Sequence, residues 1–222
     1  MQNIKAAIFD LDGTLVDSMW VWEQIDIDYL SAIGHKVPNN LKDEITHLSF
    51  NETALYFKNR FKLENSVEEI INSWNTMALD YYSNKIKLKK GVSEYLNKLK
   101  DNNIKIALAT SNSTPLLEAT LRNNGIYHYF DAITTTDEVK RNKAYPDVYL
   151  LSANKLNISP KDCVVFEDIV QAINGAKLAG MKVIAVYDKS SENQKEELIK
   201  LSDKYINDYT ELMSLSIFLC KL

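Results

Sequence analysis

Five short, mostly apolar runs recur along the 222-residue chain and constrain its fold more than any other feature: Ile4 to Phe9, Ile104 to Ala109, Asp131 to Thr134, Cys163 to Phe166 and Val183 to Val186. Each has the length of a strand. Around them, apolar residues fall at helical spacing, so that Val92, Tyr95, Leu96 and Leu99 share one face, as do Leu116, Leu117, Thr120 and Leu121 and, more loosely, Val148, Leu151 and Leu156. A strand that is apolar throughout needs cover on both faces. That calls for a parallel sheet, right-handed crossovers and helices on either side. The expected class is α/β, a doubly wound parallel sheet.

The region from about Val16 to Lys87 breaks the rhythm. It holds helical stretches near Ser18 to Ile33, Leu41 to Leu48, Glu52 to Phe61 and Ser66 to Ser83, with no convincing strand. The expected organisation is an α/β core of residues 1–16 and 88–222 with a helical cap domain, 17–87, inserted between them. An insert leaving the first strand would stand over the carboxyl end of the sheet, where open α/β sheets bind ligands, and would be a candidate lid.

With 26 Lys and Arg against 30 Asp and Glu, the formal net charge is −4. That balance argues against a broad basic surface for a nucleic acid, and a small-molecule partner fits better. No apolar stretch approaches the roughly 20 residues of a membrane-spanning helix. Cys163 and Cys220 lack metal-type spacing, and no secretory signal precedes the first strand. The expected compartment is cytoplasmic; nothing in the sequence specifies an oligomeric state.

The chemistry concentrates at Asp10-Leu11-Asp12-Gly13-Thr14-Leu15. Two acids one residue apart, at the end of an apolar strand and followed by a glycine turn, crowd two carboxylates beside exposed backbone N–H groups. A hard divalent ion relieves that crowding, and Mg²⁺ takes carboxylates together with phosphate oxygens. Thr110 and Ser111 end the second strand, where a hydroxyl and a backbone N–H can hold a phosphate at a helix start; a helix cap explains them equally well. Lys143 lies between a strand and a helix, where its ammonium could balance carboxylates and phosphate, although alone it would read as a surface lysine. Glu167 and Asp168 end a further strand and could complete a metal's ligand set, or cap a helix.

These motifs together resemble the haloacid dehalogenase-like (HAD) superfamily, in the subgroup with a helical cap between its first and second motifs, which includes β-phosphoglucomutases and related phosphatases. The resemblance rests on the D-x-D-G-T motif at Asp10, then Thr110-Ser111, Lys143-x-x-Pro146-Asp147, and Glu167-Asp168 running to Gly180-Met181, all in the family's order. It implies a Rossmann-like core and a Mg²⁺-dependent phosphatase acting on a small phosphate monoester through an aspartyl-phosphate. By the same resemblance Asp10 is the nucleophile and Asp12 the general acid/base. Mg²⁺ is held by Asp10, the backbone carbonyl of Asp12 and Asp168, with Glu167 nearby, and the phosphoryl oxygens by Thr110, the Ser111 amide and Lys143. Dehalogenases of the superfamily typically lack the second acid, so Asp12 favours phosphoryl transfer.

The alternative within the superfamily is a sugar-phosphate mutase of the β-phosphoglucomutase type. There the first motif usually continues with Val, where this chain has Thr14. A cap histidine stands where Trp22 stands here, and an arginine for the second phosphate where Phe50 aligns. Trp22, Phe50 and His47 are therefore the cap residues expected to influence specificity. Trp20, Trp74 and Met77 add to an apolar insert whose aromatics are expected mainly in its core. A receiver domain places its acids in a different order, and a non-catalytic relative would not need Asp10, Asp12, Lys143 and Asp168 together.

Overall fold

The computed structural model describes residues 4–45, 48 and 50–213. In chain order the elements begin with β1 (Ala6–Phe9) and β2 (Val16–Asp17), followed by the helices α1 (Val21–Ala32), α2 (Leu41–Ile45), α3 (Phe50–Phe61) and α4 (Val67–Asn84). The chain continues through β3 (Lys87–Leu88), α5 (Val92–Asp101), β4 (Lys105–Thr110), α6 (Thr114–Asn123), β5 (Ala132–Thr135) and α7 (Asp147–Lys155). It ends in β6 (Cys163–Glu167), α8 (Val170–Leu178), β7 (Lys182–Val186), α9 (Lys195–Leu201) and β8 (Lys204–Ile206).

Two compact units result, one of Met1–Met19 with Ile86–Leu222 and one of Trp20–Lys85. The larger is a six-stranded sheet in the order β5-β4-β1-β6-β7-β8, and every pairing in it is parallel. The four residues of β1 are fully buried, as are Ile106 to Ala109 and Cys163 to Phe166 on its two neighbours, so the apolar runs mark strands covered on both faces. After β1 the chain builds outward to β4 and β5, then crosses to the other side of β1 for β6. That reversal opens a crevice at the carboxyl ends of β4, β1 and β6. In register Phe9 stands opposite both Leu108 and Phe166, which brings the residues following the three strands to one level.

Three strands escape the periodic reading. β2 and β3 form a two-stranded antiparallel pair, Val16 opposite Leu88 and Asp17 opposite Lys87, which corrects the expectation of no strand between residues 16 and 87. β8 is a short edge strand on which Ile206 alone is fully buried.

The smaller unit is helical. In it α4 begins at Ser66 with a capping box, Ser66 accepting from the Glu69 N–H and Glu69 accepting from the Ser66 N–H. Its core is aromatic: Trp74 is buried, with the rings of Tyr29 and Phe57 edge-on to it at 5.9 Å and 4.9 Å. Trp74 thus packs as expected, whereas Trp20, Trp22 and Phe50 are each about 40% exposed. Trp22 meets Phe50 edge-on at 5.4 Å, and Trp20 meets Tyr81 at 5.5 Å.

Candidate active site

Asp10 continues β1 by one residue, its N–H donating to the Phe166 carbonyl at 3.1 Å. The turn that follows lets the chain fold back within three residues, Leu15 and Val16 both donating to the Leu11 carbonyl. Gly13 is required in this turn. Its φ is +80°, and an added Cβ would stand 2.3 Å from Asp168 Oδ2. Glycine therefore lets the first acidic segment close on the second.

Lys143 Nζ donates to Asp10 Oδ1 and, at 2.6 Å, to Glu167 Oε1. All the partners are buried: Asp10 is 6%, Lys143 8%, Glu167 1% and Asp168 3% exposed. Ligand oxygens of Asp10, Glu167 and Asp168 lie within 4.8 Å of one another. Three carboxylates thus share one ammonium, leaving an excess of buried negative charge, which is costly unless neutralised. Burial raises the Glu167 carboxyl against the opposing pull of Lys143, and burial together with Asp10 and Glu167 raises Asp168 well above the usual range. Burial also works against the Lys143 ammonium, but Asp10 and Glu167 more than compensate and raise it. Asp168 Oδ2 has no hydrogen-bond partner among the described residues. Clustered hard oxygens, surplus charge and an orphaned acceptor fit a divalent cation.

Asp12 is turned to other partners. Its Oδ1 accepts from Ser18 Oγ at 2.6 Å and its Oδ2 from Asn112 Nδ2 at 2.8 Å. Its side chain is outside the three-acid group. Thr110 is buried at the end of β4, and its Oγ1 accepts the Asn112 N–H at 3.0 Å, which leaves its hydroxyl hydrogen to donate elsewhere. Ser111, next in the chain, is exposed. Thr14, fully buried, donates to Asp168 Oδ1 at 3.4 Å. Trp22 and Phe50 belong to the helical unit, and His47 lies outside the described residues.

Sequence reasoning missed several residues that hold these groups. Tyr149 of α7, fully buried, donates to Glu167 Oε1 at 2.8 Å, so that Glu167 orients the lysine from below. Asp188, just beyond β7, pairs with the partly buried Lys89 at 2.8 Å and adds to the charge that raises Asp168. Gly175 admits the Lys143 segment against α8, and a glycine inside a helix that begins just after an acid pair was the available signal.

Several known proteins are similar to this chain. Fructose-1-phosphate phosphatase of Escherichia coli (strain K12) is 41% identical over 197 residues, covering 83% of this chain and 97% of that protein. Hexitol phosphatase B of the same organism is 28% identical over 213 residues, 95% of each chain. The crystal structure of a Thermotoga maritima protein provisionally assigned as a β-phosphoglucomutase matches with a TM-score of 0.83 at 28% identity, covering 91% of this chain and 94% of that one. The family model for haloacid dehalogenase-like hydrolase matches residues 7–186, a span that takes in all the clustered acids and the lysine among them, and the chain accordingly belongs to that family.

Proposed function

We propose that this hydrolase is a phosphatase that cleaves a small phosphate monoester, with Asp10 as the nucleophile and Mg²⁺ as the cofactor. The observation that carries the reading is Lys143 bonded to both Asp10 and Glu167 beside the unpartnered oxygen of Asp168. Asp10, Asp168 and the Asp12 carbonyl would hold Mg²⁺, with Glu167 close by. When bound, the ion supplies positive charge that lets an anionic phosphoryl group approach a carboxylate.

The chain's own groups divide the work. Thr110, the Ser111 amide and Lys143 hold the phosphoryl oxygens, whose spread of negative charge is what this reaction chiefly stabilises. Asp10 attacks phosphorus in line as the bond to the leaving oxygen breaks, and Asp12 gives that oxygen its proton. A water then attacks phosphorus, Asp12 takes the water's proton, the bond to Asp10 breaks and phosphate departs. Asp10 and Asp12 end as they began.

The relatives named for fructose 1-phosphate and hexitol phosphates support a phosphorylated sugar or polyol as the substrate class. Trp22, Phe50 and His47 are the cap residues we assign to leaving-group selection, since the half-exposed Trp22–Phe50 pair offers an aromatic surface. Turnover of para-nitrophenyl phosphate with Mg²⁺, abolished in Asp10→Asn, tests the mechanism, and a panel of sugar and polyol phosphates tests the class. Wild-type protein inert to the whole panel would end the proposal. The likeness to the Thermotoga maritima protein favours a mutase as the second reading, and product analysis with glucose phosphates separates the two.

A further inference from the structure

Asn112 makes two local bonds and one long-range bond that no phosphate-binding role requires. Its N–H donates to Thr110 Oγ1 at 3.0 Å, anchoring it to the end of β4. Its Oδ1 accepts the Ser113 N–H at 2.8 Å, and its Nδ2 donates to Asp12 Oδ2 at 2.8 Å, across 100 residues of chain. A backbone N–H only donates, so the bond from Ser113 assigns the amide oxygen and turns the NH₂ toward Asp12.

We propose that Asn112 is the positioning residue for Asp12, holding its Oδ2 so that the proton passed to the leaving oxygen is carried on Oδ1. This rests on the phosphatase reading of Asp12. An amide NH₂ can only donate, and in a neutral carboxyl the carbonyl oxygen is a far better acceptor than the hydroxyl oxygen, so Oδ2 stays the carbonyl oxygen and the proton falls to Oδ1. Ser18 imposes no such choice, because its hydroxyl both donates and accepts and so can turn to suit Oδ1 with or without the proton. In ester cleavage the Oδ1 proton moves to the leaving oxygen as the Asp10–phosphorus bond forms and the ester P–O bond breaks. In hydrolysis Oδ1 recovers a proton from the water whose oxygen bonds to phosphorus, as the Asp10–phosphorus bond breaks.

A positioning role for the proton donor is visible in the leaving group. para-Nitrophenolate departs without a proton, whereas an alkoxide needs one. kcat/KM reports events up to that departure, so it is measured with Mg²⁺ for para-nitrophenyl phosphate and benzyl phosphate on the full chain. Asn112→Ala should lower kcat/KM on benzyl phosphate by roughly a hundredfold and on para-nitrophenyl phosphate by less than about tenfold, in keeping with the usual worth of a general acid. Inhibition by inorganic phosphate should be unchanged, since Thr110 and Lys143 are untouched. Asn112→Asp preserves the acceptor for Ser113, removes the donor to Asp12 and sets a second carboxylate against Oδ2, so it should discriminate between the esters at least as strongly. Equal losses on both esters in a variant that folds overturn the assignment, as does no loss on either. A wild-type protein that turns over neither ester nor any sugar or polyol phosphate removes the phosphatase reading itself.

Discussion

Gly175 of α8 lies directly against the backbone of Lys143: a Cβ placed on it would stand 2.0 Å from the Lys143 carbonyl oxygen and 2.8 Å from that of Tyr145. Both obstacles are backbone, which cannot swing aside as a side chain can. The absence of one methyl group therefore lets the lysine segment reach the acids.

In an ordinary helix interior, replacing glycine by alanine stabilises by about 1 kcal/mol. Here the sign should reverse. Gly175→Ala should lower the melting temperature and reduce kcat at least tenfold, because Lys143 must retreat from Asp10 with its backbone. Thermal unfolding and steady-state kinetics on the same preparation check both, and a higher melting temperature with unchanged kcat would show that the segment yields freely.

The three buried carboxylates around one lysine would make a bound divalent cation a stabilising ligand. Any ligand bound only by the folded state adds RT ln(1 + [L]/Kd), about 2.7 kcal/mol at a hundred times Kd. Added Mg²⁺ should raise the melting temperature of the wild type, and EDTA should reverse the rise. In Asp168→Asn, which removes one repelling charge and a proposed ligand, the metal-free melting temperature should be higher and the Mg²⁺ increment absent. Indifference of the wild type to Mg²⁺ would contradict the assignment of the acid cluster.

Asp26, on α1, is largely buried and meets no hydrogen-bond donor among the described residues, and burial with nearby Glu23 pushes its carboxyl up to about 7. Between the unfolded value of 3.8 and about 7 the folded chain binds more protons than the unfolded one, so this group's contribution to stability falls as pH rises through that window. Asp26→Asn should therefore stabilise the protein at pH 8, by roughly 1 to 2 kcal/mol after allowance for solvent screening, and have little effect at pH 4. Urea unfolding of both proteins at the two pH values measures the difference; an equal difference at both would place the effect in packing instead of charge.

The apolar runs made most of the large sheet legible because strands buried on both faces need unbroken hydrophobic stretches. The period failed where there was too little chain to carry one. Val16–Asp17 and Lys87–Leu88 are two residues each, and β8 is a half-covered edge of three. The acids could be picked out because they end strands, and parallel register brings strand ends together; the lysine, in the loop between β5 and α7, could be picked out by its spacing to Pro146 and Asp147. Ser18, Asn112 and Tyr149 could not, since their part depends on which way a side chain points across a sequence separation of as many as 100 residues. Trp20 and Trp22 show the same limit: helical aromatic spacing indicates a core, yet both are substantially exposed while Trp74 is not.

The parallel sheet has a second rim, formed by the turns that enter the strands at 102–104, 157–162 and 179–181, with Asn103 and Asn157 in left-handed backbone at φ 57° and 55°. Asp10, Thr110, Glu167 and Asp168 hang from the opposite end, at the carboxyl ends of β1, β4 and β6. The molecule therefore separates where it can drift from where it cannot: lineages can lengthen, trim or recharge those entry turns without disturbing the acids, which leaves room for new recognition surfaces to arise while turnover stays intact.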